Sequence, residues 1–137
     1  MTLFVDTSVW SLAFRRDAAG QSSPPAEVAA LRQSLEGAEL VVTTGIVLQE
    51  LLQGFSGPRA RNGIIERFTA LPLVVPDGQD HIEAAKLGNR CRRAGLQLGT
   101  IDALLAQLCI HHDLTMLSTD HDFVHMAAHC PLPVCRG

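Results

Sequence analysis

Short apolar runs alternate with longer amphipathic stretches, and this alternation narrows the possible folds more than any other feature of the chain. Thr2 to Val5, Leu40 to Thr43, Leu73-Val74-Val75 and Thr115 to Leu117 read as short buried strands. Between them lie segments with helical spacing and matching start and stop signals. These run from Ser8 to about Arg16 with Thr7 or Ser8 as N-cap, from Ala26 to Glu36 ended by Gly37, and from about Gly45 to Gln53 stopping at Gly54. Others run from about Pro58 to Ala70, from Asp80 to Arg93 ended by Gly95, and from Ile101 to His111. A last helix is expected from Asp120 to about His129, and Leu132 to Val134 offers a short edge strand. Gly20 to Pro25 reads as a linker whose prolines start the next helix. Strands alternating with helices predict a short, mostly parallel central sheet covered on both faces, an α/β chain in three α/β/α layers.

A length of 137 residues suits one domain over 1–137, enough to bury roughly two-thirds of the unfolded surface. No apolar stretch reaches the ~18 residues of a membrane span, and Met1-Thr2 leads straight into a strand with no signal-like segment. The expected location is therefore cytoplasmic. There Cys91, Cys109, Cys130 and Cys135, none in a C-x-x-C pair, are expected as free thiols. A net charge of −3 excludes a molecule-wide basic field. The cations are ten Arg and one Lys, clustered at Arg15-Arg16, at Arg59 and Arg61, and at Arg90, Arg92 and Arg93. Guanidinium forks suit phosphate oxygens, although a solvated arginine surface has the same composition.

Four carboxylates stand where a carboxylate is costly. Asp6 ends the run Leu3-Phe4-Val5, and Glu50 interrupts Ile46-Val47-Leu48 and Leu51-Leu52. Asp102 opens the apolar stretch to Ile110, and Asp120 follows Met116-Leu117 through two hydroxyl residues, with Asp122 just behind. A buried, unpaired carboxylate costs several kcal/mol or surrenders its charge, so such an acid needs a partner. As plain helix-start acids Asp6 and Asp120 would each gain about 0.3–1 kcal/mol. That account does not reach Glu50, which lies within a helix among leucines. In a parallel sheet ligands bind beyond the carboxyl ends of the strands, where these acids can converge. A divalent metal is then the natural partner.

His121, His125 and His129 recur every four residues, with Cys130 and Cys135 nearby, which raises a zinc site. On a straight helix the three imidazoles would spread over about 12 Å, too far for one ion, so an exposed histidine face is the plainer expectation. His111-His112 closes a helix C-terminus, where positive charge is favoured.

The chain resembles PIN-domain nucleases in four places, all in family order. Val5-Asp6-Thr7-Ser8-Val9-Trp10 is similar to the first signature, and Val47-Leu48-Gln49-Glu50-Leu51-Leu52-Gln53-Gly54 to the second. Arg93-Ala94-Gly95 with Thr100-Ile101-Asp102-Ala103-Leu104-Leu105-Ala106 resembles the third, and Leu117-Ser118-Thr119-Asp120-His121-Asp122-Phe123 the fourth. The Glu50-Leu51-Leu52-Gln53-Gly54 segment looks most like VapC-type toxins of bacterial toxin-antitoxin pairs. That resemblance implies a Mg²⁺- or Mn²⁺-dependent endoribonuclease, usually a homodimer, neutralised by a small VapB-like antitoxin.

In such an enzyme Asp6, Asp102 and Asp120 are the expected metal ligands, and Glu50 a bridge to metal-bound water or the proton acceptor. Asp122 is expected near them or on the surface. Ser8, Thr100 and Thr119 can orient the acids by hydrogen bonds, and Arg15, Arg16, Arg92 and Arg93 are candidates for holding RNA. Two other classes fit less well. A phosphatase of the haloacid dehalogenase type needs a second aspartate where Ser8 stands, and a catalytic lysine where only Lys86 is available. A non-catalytic PIN scaffold would lack one or more of the acids, and none is missing.

Overall fold

In the computed structural model the described residues are 1–19, 23–37 and 39–135, with the side chains of 16–19 left aside. Arg16 as a side chain, and residues 20–22 of the expected linker, therefore lie outside them. The chain runs β1 (Thr2–Val5), α1 (Thr7–Ala19), α2 (Ala26–Glu36), β2 (Leu40–Thr44), α3 (Gly45–Gly54), α4 (Pro58–Thr69) and β3 (Leu73–Val74). It continues with α5 (Gly78–Arg93), α6 (Thr100–His112), β4 (Thr115–Leu117) and α7 (Asp122–Met126).

The strands form one parallel sheet in the order β3-β2-β1-β4. Thr2 to Phe4 align with Leu40 to Val42 on one side of β1, and Leu3 to Val5 align with Thr115 to Leu117 on the other. Each strand is joined to the next by a pair of helices, as parallel pairing requires. The steps from β1 to β2 and β2 to β3 move one way across the sheet, and the step from β3 to β4 moves back past β1. Right-handed crossovers then put α1 to α4 on one face and α5 with α6 on the other. The packing agrees: α1 touches α2 and α3, α3 touches α4, and α5 pairs with α6. The reversal lies between β1 and β4, so their carboxyl ends flank the crevice where such sheets bind ligands.

Phe4, Val5, Val9, Trp10, Leu31, Leu51, Ile64 and Met116 are among the fully buried side chains of the core. Trp10 packs against Phe68 with ring centroids 4.9 Å apart. Helix α6 is buried through Ala103, Leu105, Ala106, Leu108 and Cys109, consistent with its nearly unbroken apolar sequence. It lies close to α5, since a β-carbon on Gly88 would sit 3.7 Å from the β-carbon of Ala103.

Helix ends account for most departures from the sequence reading. Helix α5 starts two residues early because Asp77 and Asp80 form a capping box: the Asp80 N–H donates to Asp77 Oδ1 at 2.8 Å, and the Asp77 N–H to Asp80 Oδ2 at 3.0 Å. Helix α6 begins at Thr100, one residue earlier than expected, and Gly99 holds the N-cap position without a side-chain bond. The helix ends on Asp113, whose φ of 54° is left-handed, and the Leu114 N–H donates to the Cys109 carbonyl at 2.8 Å. A short polar side chain tolerates that conformation.

The last helix is half as long as expected. The Asp122 N–H donates to Asp120 Oδ1 at 2.9 Å and the Asp120 N–H to Ser118 Oγ at 3.0 Å, local turns that compete with a helical start. Beyond Met126 the bonds tighten to three-residue spacing, Ala128 to His125 and His129 to Met126, before Pro131. His121, His125 and His129 therefore do not stack along one helix. Among the described residues they join no group of three metal-ligating side chains. The expected edge strand reduces to a single parallel bridge, Met116 with Val134.

Candidate active site

Asp6 is the residue immediately after β1, and its N–H donates to the Leu117 carbonyl at 2.9 Å, which ties it to the end of β4. Its own carbonyl accepts the N–H groups of Val9 and Trp10, so its backbone starts α1 while its side chain is released for other partners. Asp6 as a residue is 8 % exposed. Ser8 Oγ and Ser118 Oγ both donate to Asp6 Oδ2 at 2.8 Å. Oδ1 receives no hydrogen bond from the described residues. The Thr119 N–H donates to Ser8 Oγ at 3.2 Å, closing a small network across the gap between β1 and β4.

Thr7 reaches the other way, its Oγ1 donating to Glu50 Oε1 at 2.7 Å. This bond joins the first turn of α1 to the middle of α3, 43 residues later. Consecutive residues thus orient different acids, Thr7 holding Glu50 and Ser8 holding Asp6. Of the orienting hydroxyls read from the sequence, Ser8 fulfils that part. Among the described residues those of Thr100 and Thr119 make no hydrogen bond to an acid, and Thr119 acts through its backbone. Thr7 and Ser118 were missed. Both stand in the quoted signature segments, but only the tertiary arrangement tells one neighbouring hydroxyl from the next.

Asp102 stands in the first turn of α6, with Oδ2 3.9 Å from where a Gly99 β-carbon would lie. Its carboxyl is pushed up to about 6, first by burial, then by the negative charges of Asp6, Asp120, Asp122 and Glu50. Five acids from four separate parts of the chain therefore lie within electrostatic reach of one another. Asp122 belongs to the group electrostatically. No cation among the described residues forms an ion pair with any of the five.

The cluster suits a hard divalent cation by its donor chemistry. Every donor is a carboxylate, the charges repel, and a group with a raised pKa lacks the positive partner that would relieve it. No three of these acids bring ligand atoms within 4.8 Å of one another; among the described residues only Asp80, His111 and His112 do. As placed, no three of the acids can all ligate one ion directly; the others would reach it through its waters, several of which Mg²⁺ keeps.

The arginines divide. Arg92 lines a groove with Ile46, Gly99 and Thr100, beside the start of α6. Arg93 is exposed at the end of α5. Arg15 is exposed eight residues into α1, about 12 Å along the helix from Thr7. Lys86, needed by the dehalogenase-type alternative, is paired with Glu83 at 3.2 Å on the surface of α5, and Ser8 donates to Asp6 instead of offering a second acid.

No helix of the described residues is long and apolar enough to cross a membrane. A family model for the PIN domain matches residues 3–129. No curated protein matches the sequence significantly. Among solved structures, VapBC2 from Rickettsia felis, bound to a DNA fragment from its promoter, aligns with a TM-score of 0.75 at 17 % identity, over 98 % of each chain. VapBC-1 from nontypeable Haemophilus influenzae gives 0.74 at 16 % identity, over 98 % of this chain and 97 % of that one. Mycobacterium tuberculosis VapC20, a toxin that cleaves the sarcin-ricin loop, gives 0.62 at 22 % identity, over 90 % and 93 %. These likenesses are of fold, whereas the family match spans nearly all the sequence and takes in all five acids. The chain belongs to the PIN domain family.

Proposed function

We propose that this protein is a divalent-metal-dependent endoribonuclease, the toxin of a VapBC-type toxin-antitoxin pair. The observation that carries this proposal is Asp102, a carboxyl raised to about 6 by burial and by four other acids, with no cation among the described residues to offset them. Evolution of a stable fold alone does not favour such repulsion; a site built to receive positive charge does.

Asp6, Asp102 and Asp120 would hold Mg²⁺ or Mn²⁺. When bound, the ion supplies a water of lowered pKa and stabilises charge on the phosphate and leaving oxygen. The chain's own residues set the geometry. Ser8 and Ser118 fix Asp6 through Oδ2 and leave Oδ1 for the site. Thr7 fixes Glu50 through Oε1, so Oε2 is available to accept the proton of the attacking water. Arg92 and Arg93 offset the cluster's repulsion of an RNA backbone. The substrate is RNA, the protein partner a small VapB-like antitoxin, and the assembly a homodimer. The antitoxin and the RNA substrate are supported by structures of similar fold, which are VapBC complexes and a toxin that cleaves the sarcin-ricin loop, while the homodimer rests on the resemblance of the sequence signatures alone.

Purified protein should cleave RNA with Mg²⁺ or Mn²⁺ and stop in EDTA. Asp6→Asn should remove cleavage by about three orders of magnitude, as residues that act as a unit fail together. Expression of wild type, but not of Asp6→Asn, should arrest bacterial growth. Full cleavage in EDTA would end the metal-nuclease proposal. Equal growth at matched protein levels would end the toxin assignment.

A further inference from the structure

A buried carboxylate and two imidazoles meet at the end of the α5–α6 pair remote from the acidic cluster. Asp80, in the first turn of α5, is 2 % exposed. Its Oδ2 accepts the Asp77 N–H, and its Oδ1 lies 2.7 Å from His111 Nδ1. That bond accounts for Asp80 and His111 but not for His112. The His112 ring lies against that of His111, centroids 4.2 Å apart and planes at 30°. One ligand atom from each of the three residues falls within 4.8 Å of the others. Consecutive helical residues diverge by about 100°, so sequence adjacency alone does not bring two imidazoles to one carboxylate.

We propose that Asp80, His111 and His112 form a second metal site, selective for a transition-metal ion such as Zn²⁺ over Mg²⁺. Two imidazole nitrogens and one carboxylate oxygen are the donor set of a borderline-soft cation, with a further position open to solvent. The frame is rigid on both sides. The capping box fixes Asp80, and the Asp77 N–H orients its carboxylate as metal ligands usually require. The left-handed Asp113 and the Leu114–Cys109 bond fix the turn that carries the histidines. The His111 side chain is 48 % exposed and His112 is exposed, so an ion can enter. On binding, Nδ1 of His111 gives up its hydrogen bond to Asp80 and offers its lone pair to the metal; a neutral ring then carries its proton on Nε2, and a protonated ring also releases one proton to solvent. The ion would staple the first turn of α5 to the last turn of α6. His111 is nine residues from Asp102, about 13 Å along the helix, so the two sites cannot share an ion.

The test is a Co²⁺ titration of the untagged full chain, read by visible d–d absorption, followed by displacement with Zn²⁺. With excess Mg²⁺ present to occupy the acidic cluster, one equivalent of Co²⁺ should still bind, and Zn²⁺ should displace it. His112→Ala changes an exposed residue whose side chain has no hydrogen bond among the described residues, and should weaken Co²⁺ binding by at least ~10-fold. His112→Gln, closer in size, should show the same loss. Metal-free melting of both variants should match wild type. Under the same Mg²⁺ excess, Asp102→Asn should keep this Co²⁺ equivalent, which separates the site from the proposed nuclease centre. Binding elsewhere, at Cys130, Cys135 or the other histidines, would survive in both His112 variants. Unchanged affinity in them, or no Co²⁺ bound by wild type at about 100 µM, would overturn the proposal.

Discussion

Asp80 and Asp102 lie on the same helical pair and respond to burial in opposite ways. Asp80 is almost completely enclosed, and burial works against its charge, yet its carboxyl lies below the usual carboxylate range. The Asp77 backbone N–H, His111 and Gln107 outweigh the burial. Asp102 is only half-buried, yet it rises to about 6, because burial raises it first and every charged neighbour acting on it is another acid that adds to the rise instead of opposing it. Depth alone therefore does not decide a carboxylate's state in this protein; the partners do. One end of α6 is electrostatically closed by protein groups, and the other is left open for something the chain does not supply.

The largest effect should come from breaking the closed end. Asp80→Ala removes one side of the capping box and leaves the Asp77 N–H and His111 without their acceptor. A cap is worth about 0.5–2 kcal/mol, and hydrogen bonds to a charged group add about 1.5–3 kcal/mol. A loss of about 2–4 kcal/mol in urea unfolding at pH 7 is expected, part of it recovered by Asp80→Asn. A loss under about 0.5 kcal/mol would mean that Asp80 is not a clamp.

Relieving the open end should have the opposite sign and a smaller size. Between about pH 4 and 6 the unfolded chain has released the Asp102 proton while the folded chain still holds it. Stability therefore falls as pH rises through that window, and the penalty is complete above 6. In metal-free protein Asp102→Asn should add about 1–2 kcal/mol at pH 7–8, the full shift being reduced by solvent screening of a half-exposed group. The gain should vanish below pH 4. Destabilisation by Asp102→Asn at pH 8 would contradict the repulsion.

The smallest effect concerns the arginines beside the open end. Arg92→Ala with Arg93→Ala should flatten the salt dependence of RNA binding by about one unit of log–log slope for each phosphate that is no longer neutralised. Arg15→Ala, about 12 Å along α1 from Thr7, should change it less. If Arg15→Ala has the larger effect, RNA follows α1 instead of the start of α6.

The open end was legible in the residues, and the closed end was not. Glu50 among leucines, and Asp6 and Asp120 after apolar runs, are local contradictions of pattern, and such contradictions survive in a one-dimensional string. Asp80 raised none, since an acid at a helix start is ordinary. Its burial and its bond to His111 depend on α5 packing against α6, 31 residues away. The shortened α7 was missed for a similar reason: Ser118 and Asp120 spend their side chains on local turns that composition does not reveal.

Strand and helix identities, the parallel sheet and the candidate acids follow from the sequence, because hydrophobic periodicity and misplaced charge are local properties. Tertiary structure decided which hydroxyl serves which acid, Thr7 for Glu50 and Ser8 with Ser118 for Asp6, and which acid is left uncompensated. Apart from the local Ser8–Asp6 bond, those pairings depend on contacts between segments 43 and 112 residues apart. The reversal of strand order between β1 and β4 sets the Asp6 and Ser118 pair, and no spacing in the sequence encodes it directly.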